Sequence, residues 1–159
     1  TTLGCLKGLD RLANAGFVGQ NVADIGCGTA VLAMGAARIW PNTVLASDID
    51  EVAVDVALAN VTANGLEGRV HCVEAAGFGH PDLKAKSPYD LIFANILKAP
   101  LVDLAPDMGA NIAQGGHAIL SGILNEQADD VVAAYDAAGF EVHTREEIGE
   151  WTTLTLTRR

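Results

Sequence analysis

The chain has 159 residues, half of them apolar, which is enough for one sizeable core and gives no reason to expect two domains. No apolar run approaches the roughly 18 residues of a membrane-spanning helix, so the composition excludes a transmembrane helix. The formal net charge of −10 argues against direct nucleic-acid binding, because proteins that bind phosphates usually present a basic face.

Cysteine usage and the start of the chain bear on where the protein works. Cys5, Cys27 and Cys72 lie far apart without C-x-x-C spacing, which fits neither a disulfide framework nor a zinc site. The four histidines also lack ligand spacing, so we expect no metal. A reducing, cytoplasmic location is the simplest expectation. The sequence begins at Thr1 with neither a Met nor a signal pattern, which is typical of a domain cut from a longer protein.

Apolar spacing and turn residues predict alternating helices and strands along the whole chain. The segment 74–88 has glycine and proline punctuation without clean periodicity, and is predicted to be a loop. In chain order, the predicted elements are helix 3–15, strand 22–25, helix 30–40, strand 43–47, helix 51–63, strand 70–73, strand 89–94, helix 100–113, strand 117–120, helix 125–138 and strands 140–144 and 151–157.

The order of these elements predicts the fold class. Five strands alternate with helices, which is typical of a parallel, doubly wound α/β sheet. The last two strands follow one another without a helix, so they should form a hairpin whose final strand runs antiparallel to its neighbours. We therefore expect one domain over residues 1–159 with a mostly parallel seven-stranded sheet.

The stretch V-A-D-I-G-C-G-T-A passes from a strand through a glycine turn into a helix, a junction where α/β sheets bind ligands. The nicotinamide fingerprint needs a third glycine where Val31 stands, so pyrophosphate binding is disfavoured. Gly26 and Gly28 would let a ligand lie against the main chain, and the helix start offers N–H groups to a carboxylate. Asp24 could accept a hydrogen bond from an ammonium group. Alternatively, the glycines only make a tight turn and Asp24 caps the helix, with Cys27 as a packing residue.

Asp48 directly follows the second strand and lies 20 positions after Gly28, the spacing at which a carboxylate reaches a ribose diol. Ile49 would then lie beside an adenine, whereas Asp50 is better explained as the N-cap of the next helix. The alternative is that Asp48 is an aspartate of a surface turn. An amino-acid end, a ribose and an adenine without pyrophosphate together indicate S-adenosylmethionine as the cofactor.

Asn95 ends the fourth strand in F-A-N-I-L. Its amide oxygen could hold an amine with the lone pair aimed at a methyl sulfonium, which supplies orientation rather than proton transfer. A lysine, with a pKa near ~10.4, must lose a proton on binding, whereas an α-amino group, near ~7.7 to 8, is already partly neutral. Either amine could be the acceptor. Asn is also a common turn residue after a strand.

Seven motifs together resemble the catalytic domain of the methyltransferases that modify large-subunit ribosomal protein eleven. They read D-I-G-C-G-T-A, S-D-I-D, F-A-N-I-L, L-A-P, G-G-H-A-I-L-S-G-I-L, A-A-G-F and G-E-W, and they span nearly the whole chain. The resemblance implies a seven-stranded class I methyltransferase fold and S-adenosylmethionine as cofactor. It also implies methylation of protein amines, including lysine side chains and an N-terminal α-amino group.

The resemblance also implies roles for individual residues. Asn95 would lie at the reacting centre as the catalytic residue and contact the cofactor. The implied cofactor-binding residues are Asp24, Gly26, Cys27, Gly28, Asp48 and Ile49. The implied residues of the acceptor cleft are Thr1, Thr2, Ile96, Leu97, Ser121 and Gly122.

Two differences between this sequence and related enzymes bear on which substrate it accepts. Members of the family usually carry a separate N-terminal domain that recognises the ribosomal protein, and we expect no such domain within these 159 residues. The strand-four motif continues as Asn95-Ile96-Leu97 rather than the Asn-Pro-Pro-Tyr of many nucleic-acid and glutamine methyltransferases, which with the acidic charge favours a protein acceptor. A small-molecule or RNA methyltransferase, and a cofactor-binding module without catalysis, remain as alternatives.

Overall fold

A computed structural model describes residues 1–159, which fold into seven strands and six helices. The strands are β1 (Val22–Ile25), β2 (Val44–Asp48), β3 (Val70–Glu74), β4 (Tyr89–Asn95), β5 (Ile112–Leu124), β6 (Phe140–Ile148) and β7 (Trp151–Arg158). The helices are α1 (Thr2–Asn14), α2 (Val31–Ile39), α3 (Glu51–Ala63), α4 (Pro81–Lys86), α5 (Lys98–Asn111) and α6 (Ala128–Ala137), the last preceded by a 3-10 turn at Asn125–Gln127.

All seven strands form one sheet in the order β3-β2-β1-β4-β5-β7-β6. Strands β1 to β5 pair in parallel, whereas β7 pairs antiparallel with both β5 and β6. This confirms the predicted fold class, including the antiparallel hairpin. The strand order reverses between β1 and β4, and in such sheets ligands bind at the carboxyl ends of the strands beside the reversal.

The sheet is buried on both faces because its strands alternate side chains between two cores. In β4, Leu91 and Phe93 pack toward α1, α2 and α3, while Ile92 and Ala94 pack toward α4, α5 and α6. Both cores are dense in fully buried side chains. None of the helices combines the length and the apolar character needed to cross a bilayer.

Helix α1 packs on the sheet through small residues as well as through two leucines, Leu9 and Leu12, which are buried. Gly4, Cys5 and Gly8 are buried, whereas Leu3 is 55% exposed. A Cβ at Gly4 would overlap Thr153 Oγ1 of β7, so the helix approaches the sheet very closely there. This contact brings the start of α1 to the carboxyl ends of the strands, where Thr2 reaches Asn95.

The bounds of several predicted segments differ from the structure; β6, for example, runs four residues beyond the predicted 140–144. The loop at 74–88 contains α4, a helix of six residues that is too short to show a period, with the His80 side chain accepting a hydrogen bond from Asp82 N–H (3.0 Å). Strand β5 is much longer than 117–120, because its ends pair with Tyr89 and Trp151, and residues 113–116 form an irregularity in its pairing with β4. Helix α5 begins at Lys98, two residues earlier than expected.

Candidate functional site

Three adjoining clefts lie at the carboxyl ends of β1, β2 and β4. The apolar cleft, about 300 Å³, lies between Ile25, Ile49, Ala75, Pro100 and Leu104, with Asp48 in its wall. The turn cleft, about 160 Å³, is lined by Thr2, Asp24, residues 26–29 and the first residues of α2. The outer cleft, about 390 Å³, is lined by Thr1, Asn95, Ile96, Leu97, Gly122 and Trp151.

Shared residues join these clefts into one continuous groove. Gly26 lines both the apolar cleft and the turn cleft, and Asn95 lines both the turn cleft and the outer cleft. The turn cleft therefore adjoins both other clefts, and Asn95 stands where it meets the outer cleft. A ligand that extends along the groove would have an apolar end, a polar middle and a reacting end beside Asn95.

The glycine turn between β1 and α2 has an unusual backbone. Gly26 (φ 71°), Gly28 (φ 53°) and Ala30 (φ 66°) all adopt left-handed conformations, and nothing lies within 4 Å of the place where a Gly28 Cβ would stand. The N-cap residue of α2, Ala30, makes no side-chain cap bond, and Val31 and Leu32 at the start of the helix line the turn cleft. The first amide groups of α2 are therefore available to an anionic group in that cleft.

Asp24 is almost fully buried beneath the turn, at 1% exposure. Its Oδ2 accepts a hydrogen bond from Ala33 N–H of α2 (3.1 Å), and Oδ1 has no partner within the chain. Burial raises the pKa of the Asp24 carboxyl to about 7, the bond from Ala33 opposes that rise, and the neighbouring Asp48 carboxylate adds to it. A buried carboxylate without a cation is costly, so the turn cleft suits a ligand that carries a positive charge.

Asp48 holds the glycine turn against β2. Its Oδ2 accepts from Gly28 N–H (2.9 Å) and its Oδ1 from Asp50 N–H (3.0 Å). Each oxygen keeps a further lone pair, which can accept a hydrogen bond from a ligand hydroxyl in the apolar cleft. Asp50 caps α3 by accepting from Val52 N–H (3.0 Å), as predicted.

Asn95 is the last residue of β4, and its Nδ2 donates to Thr2 Oγ1 of α1 at 3.4 Å. That contact turns the amide nitrogen toward α1 and leaves Oδ1 as an acceptor. Since Asn95 lines both the turn cleft and the outer cleft, this oxygen lies where two ligands could meet.

The other predicted site residues are distributed among the clefts. Ile49, 72% exposed, lines the apolar cleft, and Cys27 lines the turn cleft. Burial raises the pKa of the Cys27 thiol, and the Asp24 carboxylate raises it further, so the sulfur is a packing group rather than a nucleophile.

Of the six predicted residues of the acceptor cleft, Thr1, Ile96, Leu97 and Gly122 line the outer cleft and Thr2 lines the turn cleft. Ser121 is fully buried, and its hydroxyl donates to Thr152 O of β7 (3.2 Å). Its side chain therefore ties β5 to β7 instead of lining a cleft, because successive residues of a strand point to opposite sides.

Sequence reasoning missed several residues of the groove. Ala76 and Gly77 belong to the segment predicted as a loop, and Pro100 and Leu104 to the start of α5. Trp151, 37% exposed, opens β7 and lines the outer cleft; its place in the G-E-W motif was the available signal. Phe78, which follows Gly77 in the chain, is buried against Tyr89, with ring centroids 6.3 Å apart, and does not line a cleft.

Comparison with known proteins gives consistent matches over the whole chain. The model of the family described as "Ribosomal protein L11 methyltransferase (PrmA)" matches residues 1–159. Proteins named ribosomal protein L11 methyltransferase are 43% identical over 157 residues in Brucella abortus (strain S19), covering 99% of this chain and 55% of that protein, and 45% identical over 157 residues in Mesorhizobium japonicum, covering 98% and 53%. The chain thus spans about half the length of the curated relatives it matches.

A solved structure, of ribosomal protein L11 methylase from Lactobacillus delbrueckii subsp. bulgaricus, superposes with a TM-score of 0.89 at 28% identity, covering 100% of this chain and 79% of that one. A methyltransferase from Pyrococcus furiosus, with a TM-score of 0.75 and 19% identity, covers 96% of this chain and 81% of its own and shares the fold.

Proposed function

Because this chain belongs to the ribosomal protein L11 methyltransferase family, we propose that it transfers methyl groups from S-adenosylmethionine to amino groups of a ribosomal protein. The acceptors would be lysine side chains, an N-terminal α-amino group, or both. The observation that carries the proposal is the position of Asn95, at the one junction between the cleft suited to the cofactor's charged end and the outer cleft.

The residues of the groove fit S-adenosylmethionine from one end to the other. Asp24 would pair with the ammonium group of its methionine part, and the first amides of α2 would hold the carboxylate. Asp48 would accept hydrogen bonds from the ribose hydroxyls. The adenine would lie in the apolar cleft beside Ile49 and Leu104.

Asn95 would orient the acceptor. S-adenosylmethionine, when bound, supplies a sulfonium methyl group that a neutral amine nitrogen can take, leaving a thioether and a proton. Asn95 Oδ1 would accept an N–H of that amine and so aim its lone pair at the methyl carbon, which replaces a search through orientations by one fixed geometry. No general base is needed in the bond-forming step, because the amine must already be neutral when it reacts.

The acceptor would enter through the outer cleft. Leu97 (69% exposed) and Trp151 give this cleft apolar walls that suit the methylene chain of a lysine. The net charge of −10 favours association with a basic protein. Since the three clefts lie within residues 1–159, we propose that these residues act as one methyltransferase domain.

Intact-mass measurement tests this function. The chain is incubated with S-adenosylmethionine and a mixture of ribosomal proteins, with total RNA and small amines offered in parallel. We expect one or more methyl groups to be added to a ribosomal protein, and none when the cofactor is omitted. Methyl transfer to RNA or to small amines alone would contradict the proposed acceptor, and cofactor binding without transfer to any acceptor would point to a non-catalytic module.

A further inference from the structure

Ile96 follows Asn95 and is the only residue that lines both the apolar cleft and the outer cleft. Without the Ile96 side chain, the apolar cleft and the outer cleft would open into each other. The residue is partly buried and packs against the core on the α5 side of the sheet. Ile96 therefore forms the wall between the space suited to the nucleoside and the space suited to the acceptor.

Two glycines hold this wall in place. A Cβ at Gly26 would stand 2.5 Å from Ile96 Cγ2, so the side chain already touches the glycine turn and leaves no gap there. On the opposite side, a Cβ at Gly122 would overlap the Ile96 carbonyl and stand 2.8 Å from its carbon. Both glycines have positive φ, at 71° and 85°. Ile96 is thus held between the turn that follows β1, which its side chain contacts, and β5, which its backbone contacts.

We propose that Ile96 determines the size of the group that the donor can carry on its sulfur. The inference rests on the proposed function, because it takes the groove to hold a sulfonium donor with its reacting end at Asn95. With Gly26 in contact on one side and Asn95 next to it in the chain, the Ile96 side chain borders the position of the sulfur substituent. A methyl group fits beside it, and a longer alkyl group would have to displace it.

Calorimetric titration with three probes tests the inference: S-adenosylhomocysteine, S-adenosylmethionine and the analogue that carries an allyl group in place of the methyl. An extra carbon in a close-fitting apolar site costs about tenfold or more in discrimination. We therefore expect the unmodified chain to bind the allyl analogue about tenfold or more weakly than S-adenosylmethionine. Ile96→Ala should reduce that ratio to within about threefold, and Ile96→Val should give an intermediate ratio.

Ile39→Ala is the matched control, because Ile39 is the same residue type, is 47% exposed at the end of α2 and lines none of the three clefts. It should leave the allyl-to-methyl ratio at the value of the unmodified chain. Equal affinity of the unmodified chain for both donors, or an unchanged ratio in both Ile96 variants, would overturn the inference. If the unmodified chain bound none of the three probes, the proposed function itself would fail, which is a different result.

Discussion

Asp24→Asn is expected to stabilise the ligand-free protein while it weakens cofactor binding. The carboxylate is buried, accepts one hydrogen bond and has no cation beside it, so its ionisation costs folding free energy that only a cationic ligand can offset. A neutral amide removes that cost and keeps an oxygen for Ala33 N–H. It cannot pair with the cofactor's ammonium group, so affinity should fall by about tenfold or more.

The pH dependence of the stability shows whether the buried Asp24 carboxylate is the cause of this difference. Asp24 has a pKa of about 7 in the folded chain and about 3.9 when unfolded. Between these values the folded state binds the proton more tightly, so the Asp24 contribution to stability is complete below about pH 4 and is lost as pH rises through 7. The difference of about three pKa units caps the effect at about 4 kcal/mol, and the unpaired N–H groups of a buried amide reduce the net gain to about 1–2 kcal/mol.

Thermal unfolding of the ligand-free protein from pH 4 to pH 8 measures this effect. The melting temperature of Asp24→Asn relative to the unmodified chain should rise with pH and level off above about pH 7. Asp55→Asn, an exposed position on α3, removes the same formal charge and should show no such trend. A pH-independent difference, or a loss of stability at pH 8, would contradict the assignment of Asp24 as an uncompensated buried carboxylate.

Asn95→Ala is expected to lower kcat by about 10²-fold or more while leaving the affinity for S-adenosylhomocysteine within about threefold. The loss comes from orientation, because an amine that is misplaced by about an ångström loses rate on this scale. Asn95→Asp should also be slow near neutral pH, since a carboxylate stabilises the ammonium form, and its activity should recover at higher pH.

Single-turnover kinetics measures the methyl-transfer rate of each variant, and calorimetry measures its affinity for S-adenosylhomocysteine. Asn111→Ala serves as the control, because Asn111 lies at the end of α5, lines none of the three clefts, and its side chain bonds only Asp107 O. It should change neither quantity. Loss of cofactor affinity in Asn95→Ala comparable to its loss of kcat would mean that Asn95 holds the cofactor rather than the acceptor.

Local patterns in the sequence were enough to predict the sheet and several residues that line the turn cleft. Asp48 and Asp50 could be given different roles, because Asp50 directly precedes a helix, as a cap does, whereas Asp48 ends a strand. For Asp24 the sequence allows two interpretations, a helix cap or an ammonium-binding carboxylate, and the structure is compatible with both: Oδ2 bonds Ala33 N–H, and Oδ1 has no partner in the chain. The sequence could not decide between these two interpretations, because one oxygen of a carboxylate can bond a helix N–H while the other binds a ligand.

Features that depend on distant contacts were not predictable. The position of α1 follows from the close approach of Gly4 to Thr153, which are far apart in the chain. The position of Ile96 depends on close contacts with Gly26, in the turn after β1, and with Gly122 of β5, which are far apart in the chain. Ser121 was expected in the acceptor cleft, but only its neighbour Gly122 lines it, since the bulge in β5 sets which side chain faces outward.

Calorimetric titration with S-adenosylhomocysteine tests most directly whether the three clefts form one methyl-donor site with Asp48 at its ribose position. The unmodified chain should bind, and Asp48→Ala should bind about 10²-fold more weakly, because two hydrogen bonds to a charged acceptor are lost. Asp55→Ala, which removes an exposed carboxylate of α3, should bind as the unmodified chain does. Unchanged affinity in Asp48→Ala would contradict the site.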